Sequence, residues 1–339
     1  MIPRCSRFRS VQRSSELTYT PAWWVPGRHA QTLWGRLFRR APSVATRLER
    51  WDTPDDDELE VHRLDATRRG VPRLVLLHGL EGTIQSNYIQ GTLALAQQRG
   101  WAADVLIFRG CGTRMNRQRR FYHSGETSDL QLLVDRVARE NDDQPILLAG
   151  FSLGGNVLLK WLGEQGSALP TQIRGAAAVS VPYDLEAGAR QIEHGFSRIY
   201  TYHFLRSLVV KARTKLRAYP DLYDLSRLHE ARTLYAFDDV VTAPIHGFAS
   251  AHDYYSRSSS LQFLSDIRAP TLLLSALDDP FMPRATADAV VRMALTNRSL
   301  AVEFYPHGGH VGFVAGRMPF RSHYFAEERL VEFLNSQVS

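Results

Sequence analysis

The motif GFSLG at residues 150–154 constrains the fold of this chain more than any other feature. A Gly-x-Ser-x-Gly motif alone arises by chance in roughly one chain in ten of this length. Here, however, it directly follows the apolar run 146–149 and opens a stretch of helical pattern. A strand, a sharp turn and a helix in that order expose a serine at the tip of the turn, and the glycines leave room where side chains would clash. The motif therefore predicts an exposed Ser152 between a buried strand and a helix.

Short apolar runs alternate with helical stretches from residue 58 onward. Several runs are apolar at nearly every position, which is typical of parallel strands covered on both faces. The predicted strands are 58–64, 73–77, 103–108, 145–149, 173–180, 271–275 and 301–305, and the predicted helices are 86–98, 126–140, 153–164, 284–295 and 324–336. We therefore predict an α/β fold with a mostly parallel central sheet and flanking helices.

Residues 181–265 interrupt this alternation, because they combine helical patterning and many aromatic residues with no convincing strand. Long insertions in compact domains tend to be functional. We predict a helical cap over the site at Ser152, with extra packing at the sheet edge as the alternative. Residues 51–339, beginning with an acidic turn at 51–57, are predicted to form the main domain. Residues 1–50, which are basic, aromatic and loop-like, are predicted to pack on it.

A serine hydroxyl is a weak nucleophile at neutral pH, so it needs a base to take its proton. In a fold of this kind the partners follow the serine in the order acid, then histidine. His310 lies in the glycine-rich sequence PHGGHVGF directly after the predicted strand 301–305, where glycines allow a ring to project. We predict His310 as the base, in preference to His307 in the same loop.

The acid is expected in the loop after the predicted strand 271–275, because a carboxylate there can reach a histidine in the next loop. Asp278 and Asp279 both lie in that loop. Asp279 stands four positions before Pro283, a spacing common for the acid in this fold. We therefore predict Asp279 as the acid and Asp278 as a turn residue. Asp184, after the preceding predicted strand, is a more distant alternative.

Two backbone amides are predicted to bind the negative charge that develops on a carbonyl oxygen during acyl transfer. One belongs to the residue after the nucleophile, and the other to the loop after an earlier strand. These positions are Leu153 and Leu80, the latter in the sequence HGLEG at 78–82. His78 is interpreted as a brace of that loop.

From about residue 18 to the C-terminus, the chain resembles the YheT-like branch of the α/β-hydrolases, which includes lipid esterases and medium-chain acyltransferases of eukaryotes. The carrying segments are PAWW at 21–24, HAQTL at 29–33, HGLEG at 78–82, FRGCG at 108–112, YHSGET at 122–127, GFSLGGN at 150–156, FDDVVTAPIHGF at 237–248, DDPFMP at 278–283 and HGGHVGF at 307–313. The resemblance implies the α/β-hydrolase fold, a Ser152–Asp279–His310 triad and carboxylic-ester hydrolysis in lipid metabolism. It also implies that the aromatic segment 21–40 belongs to the domain.

The expected substrate is a small acyl ester with a short or medium chain, cleaved through an acyl-enzyme on Ser152 without a cofactor or a metal ion. Acyl transfer to an alcohol, or thioester cleavage, by the same residues is an alternative. A non-catalytic binding protein on the same fold is a second alternative.

Composition also bears on disulfides, metal binding, cellular location and partners. The two cysteines, Cys5 and Cys111, offer neither a disulfide framework nor a metal-binding spacing. The chain shows no signal-peptide pattern and no run of about 18 apolar residues, so we expect a cytoplasmic protein. Residues 1–50 are rich in arginine, but no nucleic-acid motif follows them, and we expect no nucleic-acid partner. Peripheral membrane contact through this segment and its tryptophans Trp23, Trp24 and Trp34 is left open.

Overall fold

The computed structural model describes residues 17–140, 143–319 and 321–339, which are built around an eight-stranded sheet. Its strands are β1 (Arg47–Asp52), β2 (Glu58–Leu64), β3 (Arg73–Leu77), β4 (Ala102–Ile107), β5 (Ile146–Phe151), β6 (Ile173–Val179), β7 (Thr271–Ala276) and β8 (Leu300–Tyr305). Their order across the sheet is β1-β2-β4-β3-β5-β6-β7-β8. Strand β2 pairs antiparallel with β1 and β4, and the other neighbours are parallel. A mostly parallel central sheet is thus confirmed.

Helices cover both faces of this sheet. In chain order the α-helices are α1 (Gly27–Phe38), α2 (Asn87–Gln98), α3 (Ser128–Glu140), α4 (Leu153–Gln165), α5 (Leu185–Gln191), α6 (Arg198–Ala218), α7 (Leu225–Glu230), α8 (Leu234–Phe237), α9 (Ala243–His246), α10 (Ala251–Ser258), α11 (Arg284–Ala294) and α12 (Phe325–Asn335). Every residue of β3, β4, β5 and β7 is buried, as expected for strands between two helical layers. Among the described residues, no helix is both long and apolar enough to cross a bilayer.

The segment before β2 differs from the sequence-based prediction. Residues 1–16 lie outside the described residues, but α1 and β1 occupy positions that were predicted to be loop, and β1 shortens the predicted acidic turn to residues 53–57. Helix α1 depends on a distant contact: the buried Gln31 side chain donates to the carbonyls of Val25 and Val314. Local sequence pattern does not record such a contact, so the loop prediction was wrong for both elements.

The long connection between β6 and β7 consists of helices and loops. It contains α5 to α10, a π-helical turn at Asp238–Thr242 and 3-10 turns at Gly195–Ser197 and Ser260–Asp266. Within residues 180–270 the structure has no strand. Helix α6 is the longest element of this region, with 21 residues. We refer to residues 181–265 as the cap.

Strand register brings the loops of interest to one edge of the sheet. Leu77 of β3 lies beside Gly150 of β5, and Ala276 of β7 lies beside Tyr305 of β8. Because these parallel strands end level with one another, the loops that follow them meet at the carboxyl edge. That edge is where the predicted functional residues lie.

Candidate active site

Ser152 lies in a strained turn between β5 and α4. Its backbone has φ 52° and ψ −121°, a conformation that L residues rarely adopt. The flanking glycines are required sterically, because a Cβ on Gly150 would stand 2.5 Å from the carbonyl oxygen of Gly154. A Cβ on Gly154 would stand 2.4 Å from the carbonyl oxygen of His78. The turn therefore projects the Ser152 hydroxyl from the carboxyl edge of the sheet, at the start of α4.

A hydrogen-bonded chain links Ser152, His310 and Asp279. His310 Nε2 lies 2.9 Å from Ser152 Oγ. On the other side of the ring, Nδ1 lies 2.8 Å from Asp279 Oδ2 and 3.1 Å from Oδ1. The Asp279 side chain is 1% exposed and that of His310 is 11% exposed. With Asp279 ionised, Nδ1 carries the proton and Nε2 can accept the proton of the serine.

The carboxylate of Asp279 and the ring of His310 are both positioned by Phe281. The backbone N–H of Phe281 donates to Asp279 Oδ1 at 2.8 Å. Its ring stacks on the imidazole, with centroids 4.1 Å apart and an interplanar angle of 27°. The stacked ring limits rotation of His310 and covers one of its faces.

The alternative residues occupy other places. Asp278 accepts a hydrogen bond from the Gly309 N–H at 2.9 Å and lies 3.3 Å from His307 Nδ1, so it holds the backbone of the histidine loop. Asp184 caps α5 by accepting from the Ala187 N–H at 3.0 Å. The structure therefore brings Asp279 and His310 to Ser152, and leaves His307, Asp278 and Asp184 in contacts that support the loops.

Three polar side chains that the sequence reasoning missed hold the loop of His310. The backbone N–H of His310 donates to Thr32 Oγ1 at 2.9 Å, and the N–H of Val311 donates to Ser180 Oγ at 3.0 Å. Gln31 Oε1 accepts from the Val314 N–H at 2.7 Å. Gln31 and Thr32 belong to the segment HAQTL, one of the segments that carry the family resemblance. That resemblance was the sequence signal that could have pointed to them.

The amides of Leu80 and Leu153 remain free to bind an oxyanion. In the loop after β3, the neighbouring N–H groups are already used: Gly79 donates to Tyr88 Oη at 2.9 Å and Glu81 to Tyr122 Oη at 3.0 Å. Within the described part of the chain, the N–H groups of Leu80 and Leu153 donate to no other group. Both residues line the cavity at Ser152. Both N–H groups therefore lack an acceptor in the described residues and belong to residues at the cavity.

His78 is a buried, neutral brace. Its Nδ1 lies 2.8 Å from the Gly79 carbonyl oxygen, and its Nε2 accepts from the Phe108 N–H at 3.1 Å. Burial lowers the pKa of His78 to about 4. Because a neutral imidazole has one donor and one acceptor, both ring nitrogens are satisfied. His78 therefore shapes the loop of Leu80 without acting as a base.

An ion pair connects the cap to the loop of Leu80. Lys211 of α6 lies 2.6 Å from Glu81 Oε1, and the Tyr122 hydroxyl donates to the same oxygen at 2.7 Å. Glu81 has φ 57°, so its backbone is held in the left-handed region directly after Leu80. The Cys111 thiol lies 3.1 Å from Lys211 Nζ, and burial raises the pKa of this thiol to about 11. A thiol with that pKa stays protonated at neutral pH and is a poor nucleophile.

A largely apolar cavity opens at Ser152. It measures about 810 Å³ including its open mouth. The loops at the sheet edge and the cap both contribute to its wall, notably through Leu80, Leu153, Phe204, Leu208, Leu234 and Phe237. A largely apolar wall of this kind suits an acyl chain or another small apolar group.

One carboxyl group interrupts the apolar wall. Asp238 begins the π-helical turn of the cap and lines the cavity. Its Oδ2 accepts from the Tyr255 hydroxyl at 2.6 Å, and its Oδ1 accepts from Thr242. Burial raises the pKa of Asp238 to about 6. The sequence segment FDDVVTAPIHGF contained this residue, but nothing in the spacing distinguished it from a turn aspartate.

Metal-ligand clusters are not found in residues 17–140, 143–319 and 321–339: no three His, Cys, Asp or Glu side chains group as a metal ion would require. The structure brings Ser152, His310 and Asp279 into one hydrogen-bonded chain beside the cavity that Leu80 and Leu153 line.

Comparison with known proteins agrees with this geometry. A family model described as the alpha/beta hydrolase fold matches residues 72–316, so the chain belongs to the α/β-hydrolase family. Within that family, the putative esterase YheT of Escherichia coli (strain K12) is 38% identical over 327 residues, covering 95% of this chain and 94% of that protein. The chain therefore belongs to the YheT-like branch.

Other relatives carry esterase or lipase names. Phospholipase ABHD3 of Mus musculus is 29% identical, covering 89% of this chain and 74% of that protein. Monoacylglycerol lipase of Saccharomyces cerevisiae is 30% identical, covering 78% of this chain and 58% of that protein. The solved structure of esterase Pf2001 of Pyrococcus furiosus matches with a TM-score of 0.57 and 16% identity, over 97% of this chain and 100% of that one, which shows the shared fold. The chain is thus a member of a hydrolase family.

Proposed function

We propose that the protein is a serine hydrolase of carboxylic esters that acts through an acyl-enzyme on Ser152. The observation that carries this proposal is the chain of hydrogen bonds from Asp279 through His310 to Ser152 Oγ, with 2.8 Å and 2.9 Å at its two ends. Family membership and the esterase and lipase names of the relatives support the same reaction class.

In the proposed reaction, Ser152 Oγ attacks the ester carbonyl while His310 Nε2 takes its proton. Asp279 keeps the Nδ1 proton in place and stabilises the imidazolium that forms. The amides of Leu80 and Leu153 hold the oxyanion of the tetrahedral intermediate. His310 then gives its proton to the leaving alcohol, and a water molecule, activated by the same ring, hydrolyses the acyl-enzyme.

The proposed substrate is an ester with a short- or medium-chain acyl group. The largely apolar wall of the cavity supports an acyl chain beside Ser152. The half-buried Asp238 adds a carboxyl group to a wall that is mostly apolar. Long saturated chains are expected to be poorer substrates, because extending past this group would bring hydrocarbon against a desolvated polar site.

Replacement of the serine tests the mechanism. Ser152→Ala is expected to lower kcat for p-nitrophenyl butyrate by at least about 10⁴-fold and to abolish labelling by a fluorophosphonate probe. Ser336→Ala, which changes a serine bonded to a helix carbonyl away from the site, is the matched control and should keep full activity. Retained hydrolysis or labelling in Ser152→Ala, with an unchanged far-UV CD spectrum, would refute the proposal.

A series of p-nitrophenyl esters of increasing chain length tests the substrate class. We expect kcat/KM to peak at short or medium length and to fall for long chains. Adding methanol as a competing acceptor separates hydrolysis from acyl transfer, since a transferase forms methyl ester in preference to free acid. A parallel assay with an acyl-CoA of the same chain length detects thioesterase activity.

A further inference from the structure

The outer face of helix α6 exposes apolar and basic side chains together. Exposed residues recur at spacings of three and four, at Ile199, Tyr202, Arg206, Val210, Arg213 and Arg217. Side chains with this spacing lie on one face of a helix. The three apolar ones are well exposed, with 50%, 71% and 59% of the surface of Ile199, Tyr202 and Val210 open to solvent.

Helix α1 lies beside α6 and extends this face. His29 Nδ1 is 3.0 Å from the Tyr200 hydroxyl, and Arg36 Nη1 is 2.6 Å from His203 Nε2, so the two helices contact each other at two points. The end of α1 adds further exposed apolar and basic side chains, namely Arg36, Leu37, Phe38 and Arg40. We call the exposed residues of both helices the α1–α6 face.

The α1–α6 face carries positive charge only. Neither helix contains an aspartate or a glutamate. Within the described residues, Arg206, Arg213 and Arg217 form no ion pair with a carboxylate. Some exposed arginines on other helices do have an acidic partner one turn away: Arg190 pairs with Glu186, and Arg284 pairs with Asp288.

The opposite side of α6 belongs to the catalytic cavity. Phe204 and Leu208 line the cavity, and Lys211 reaches Glu81 beside Leu80. The α1–α6 face therefore lies directly outside the wall of the cavity, separated from it by the thickness of one helix.

We propose that the α1–α6 face docks on a bilayer that contains anionic phospholipid. Its arginines would contact lipid phosphates, while Ile199, Tyr202, Leu37 and Phe38 enter the boundary between headgroups and acyl chains. A helix with apolar and cationic side chains on one exposed face and no acid binds membranes in this way, by burial and charge together. Docking would hold the cavity close to the lipid surface.

A lipid surface fits this face better than a nucleic acid does. Arginines can bind the phosphates of either a lipid or a nucleic acid. The phosphate backbone of a nucleic acid, however, offers no favourable contact to the large exposed apolar side chains that lie between these arginines. In lipid, those same groups are removed from water, which favours binding. The proposal goes beyond ester hydrolysis and does not depend on it, because binding can be measured with the Ser152→Ala protein.

The test is co-sedimentation of Ser152→Ala protein with vesicles of phosphatidylcholine that contain one third phosphatidylglycerol. One variant changes charge, with Arg206, Arg213 and Arg217 all replaced by Gln; its matched control replaces the exposed Arg68, Arg69 and Arg174, near the opposite edge of the sheet, by Gln. A second variant changes apolar surface, with Ile199→Ser and Tyr202→Ser; its control carries Leu295→Ser and Met318→Ser, two other exposed apolar residues.

We expect binding to the anionic vesicles, weakened at least about tenfold by the charge variant and at least about threefold by the apolar variant. Both controls should bind as the parent does. When both variants are made with Ser152 retained, they should hydrolyse soluble p-nitrophenyl butyrate at the normal rate. A loss of vesicle binding then cannot be due to misfolding or to a damaged active site. Failure to bind these vesicles, or equal losses in variants and controls, would overturn the proposal. Unchanged vesicle binding in the apolar variant, with equal affinity for a DNA duplex, would replace it with general polyanion binding.

Discussion

The two walls of the cavity are built by different interactions. On the sheet side, Ser152, His310 and Asp279 are fixed by hydrogen bonds of 2.8–3.1 Å, and the His310 backbone is held by Thr32. On the cap side, the lining is mostly apolar, and Phe204 packs near Phe281 with ring centroids 6.2 Å apart. Directional bonds lose their function with small displacements, whereas apolar contacts tolerate changes that conserve volume. Substitutions on the sheet side should therefore change rate, and those on the cap side should mainly change stability and substrate preference.

The adjacent aspartates Asp278 and Asp279 give the sharpest test of the sheet side. In Asp279→Asn, an amide replaces the carboxylate that orients His310, so kcat for p-nitrophenyl butyrate should fall by about 10³- to 10⁴-fold. Asp278→Asn keeps an acceptor for the Gly309 N–H and should lower kcat less than about tenfold. Steady-state kinetics of the two variants measure the difference, and a larger loss in Asp278→Asn would reassign the acid.

Thr32 tests whether helix α1 positions the base. Thr32→Val removes the acceptor of the His310 N–H, and we expect kcat to fall by about ten- to thirtyfold at nearly unchanged KM. Thr32→Ser should restore the rate, because it keeps the hydroxyl. Thr214→Val is the matched control. Thr32 Oγ1 donates to the Arg28 carbonyl one turn back at 2.7 Å, and Thr214 makes the same kind of bond to Val210 at 2.9 Å but lies on the exposed side of α6. An equal effect of both valine variants would show that Thr32 acts on helix stability alone.

Lys211 tests the polar link between the two walls. Lys211→Met removes the ion pair with Glu81, so the loop of Leu80 loses its contact with α6. We expect kcat to fall by about three- to tenfold, since one displaced oxyanion donor costs less than a deleted one. Lys160→Met, which breaks a Lys–Glu pair within α4, is the control and should leave kcat unchanged. An effect on KM without one on kcat would place Lys211 in substrate binding instead.

Of these substitutions, replacement of Asp238 is expected to change kcat least, and its main effect should be on the free energy of unfolding. Burial raises its pKa from 3.8 to about 6, so between these values the carboxyl is protonated in the folded chain and ionised in the unfolded chain. The folded state then binds more protons, and its stability falls as pH rises through this window. Asp238→Asn removes that loss, so it should raise the free energy of unfolding by about 1–3 kcal/mol at pH 8 and by nearly nothing at pH 4.

Urea denaturation at the two pH values measures this difference. Asp239→Asn, in the same turn but half-exposed, is the control and should show no such gain. A stabilisation that is equal at both pH values would mean that ionisation of Asp238 is not its cause.

The sheet was predictable because each strand has a recognisable pattern of apolar residues in its own short stretch of sequence. The predicted strands 58–64 and 73–77 coincide with β2 and β3, since β3 is an almost continuous apolar run and β2 largely alternates polar and apolar residues. The positions of Ser152, Asp279 and His310 could be predicted from the same pattern, because each residue lies in the loop that follows a strand.

Contacts between distant parts of the chain were not predictable. Thr32 and His310 are 278 positions apart, and Lys211 and Glu81 are 130 positions apart. The residues next to them in sequence do not indicate that any of these four residues makes a long-range contact. The short strand β1 and the helix α1 were missed for the same reason, because pairing with β2 and bonding of Gln31 stabilise them more than their own residues do.

The bond between Thr32 and the loop of His310 also bears on how the protein comes into being. During synthesis, the helix that contains Thr32 leaves the ribosome long before residue 310 is added. The partner of its hydroxyl is made 278 positions later in the chain, by which time strands β3 to β6 can already pair. A nascent chain that stalls before residue 310 can present the strained serine, yet it lacks the base. The order of the sequence thus delays the contact between Ser152 and His310 until the chain has been made as far as residue 310.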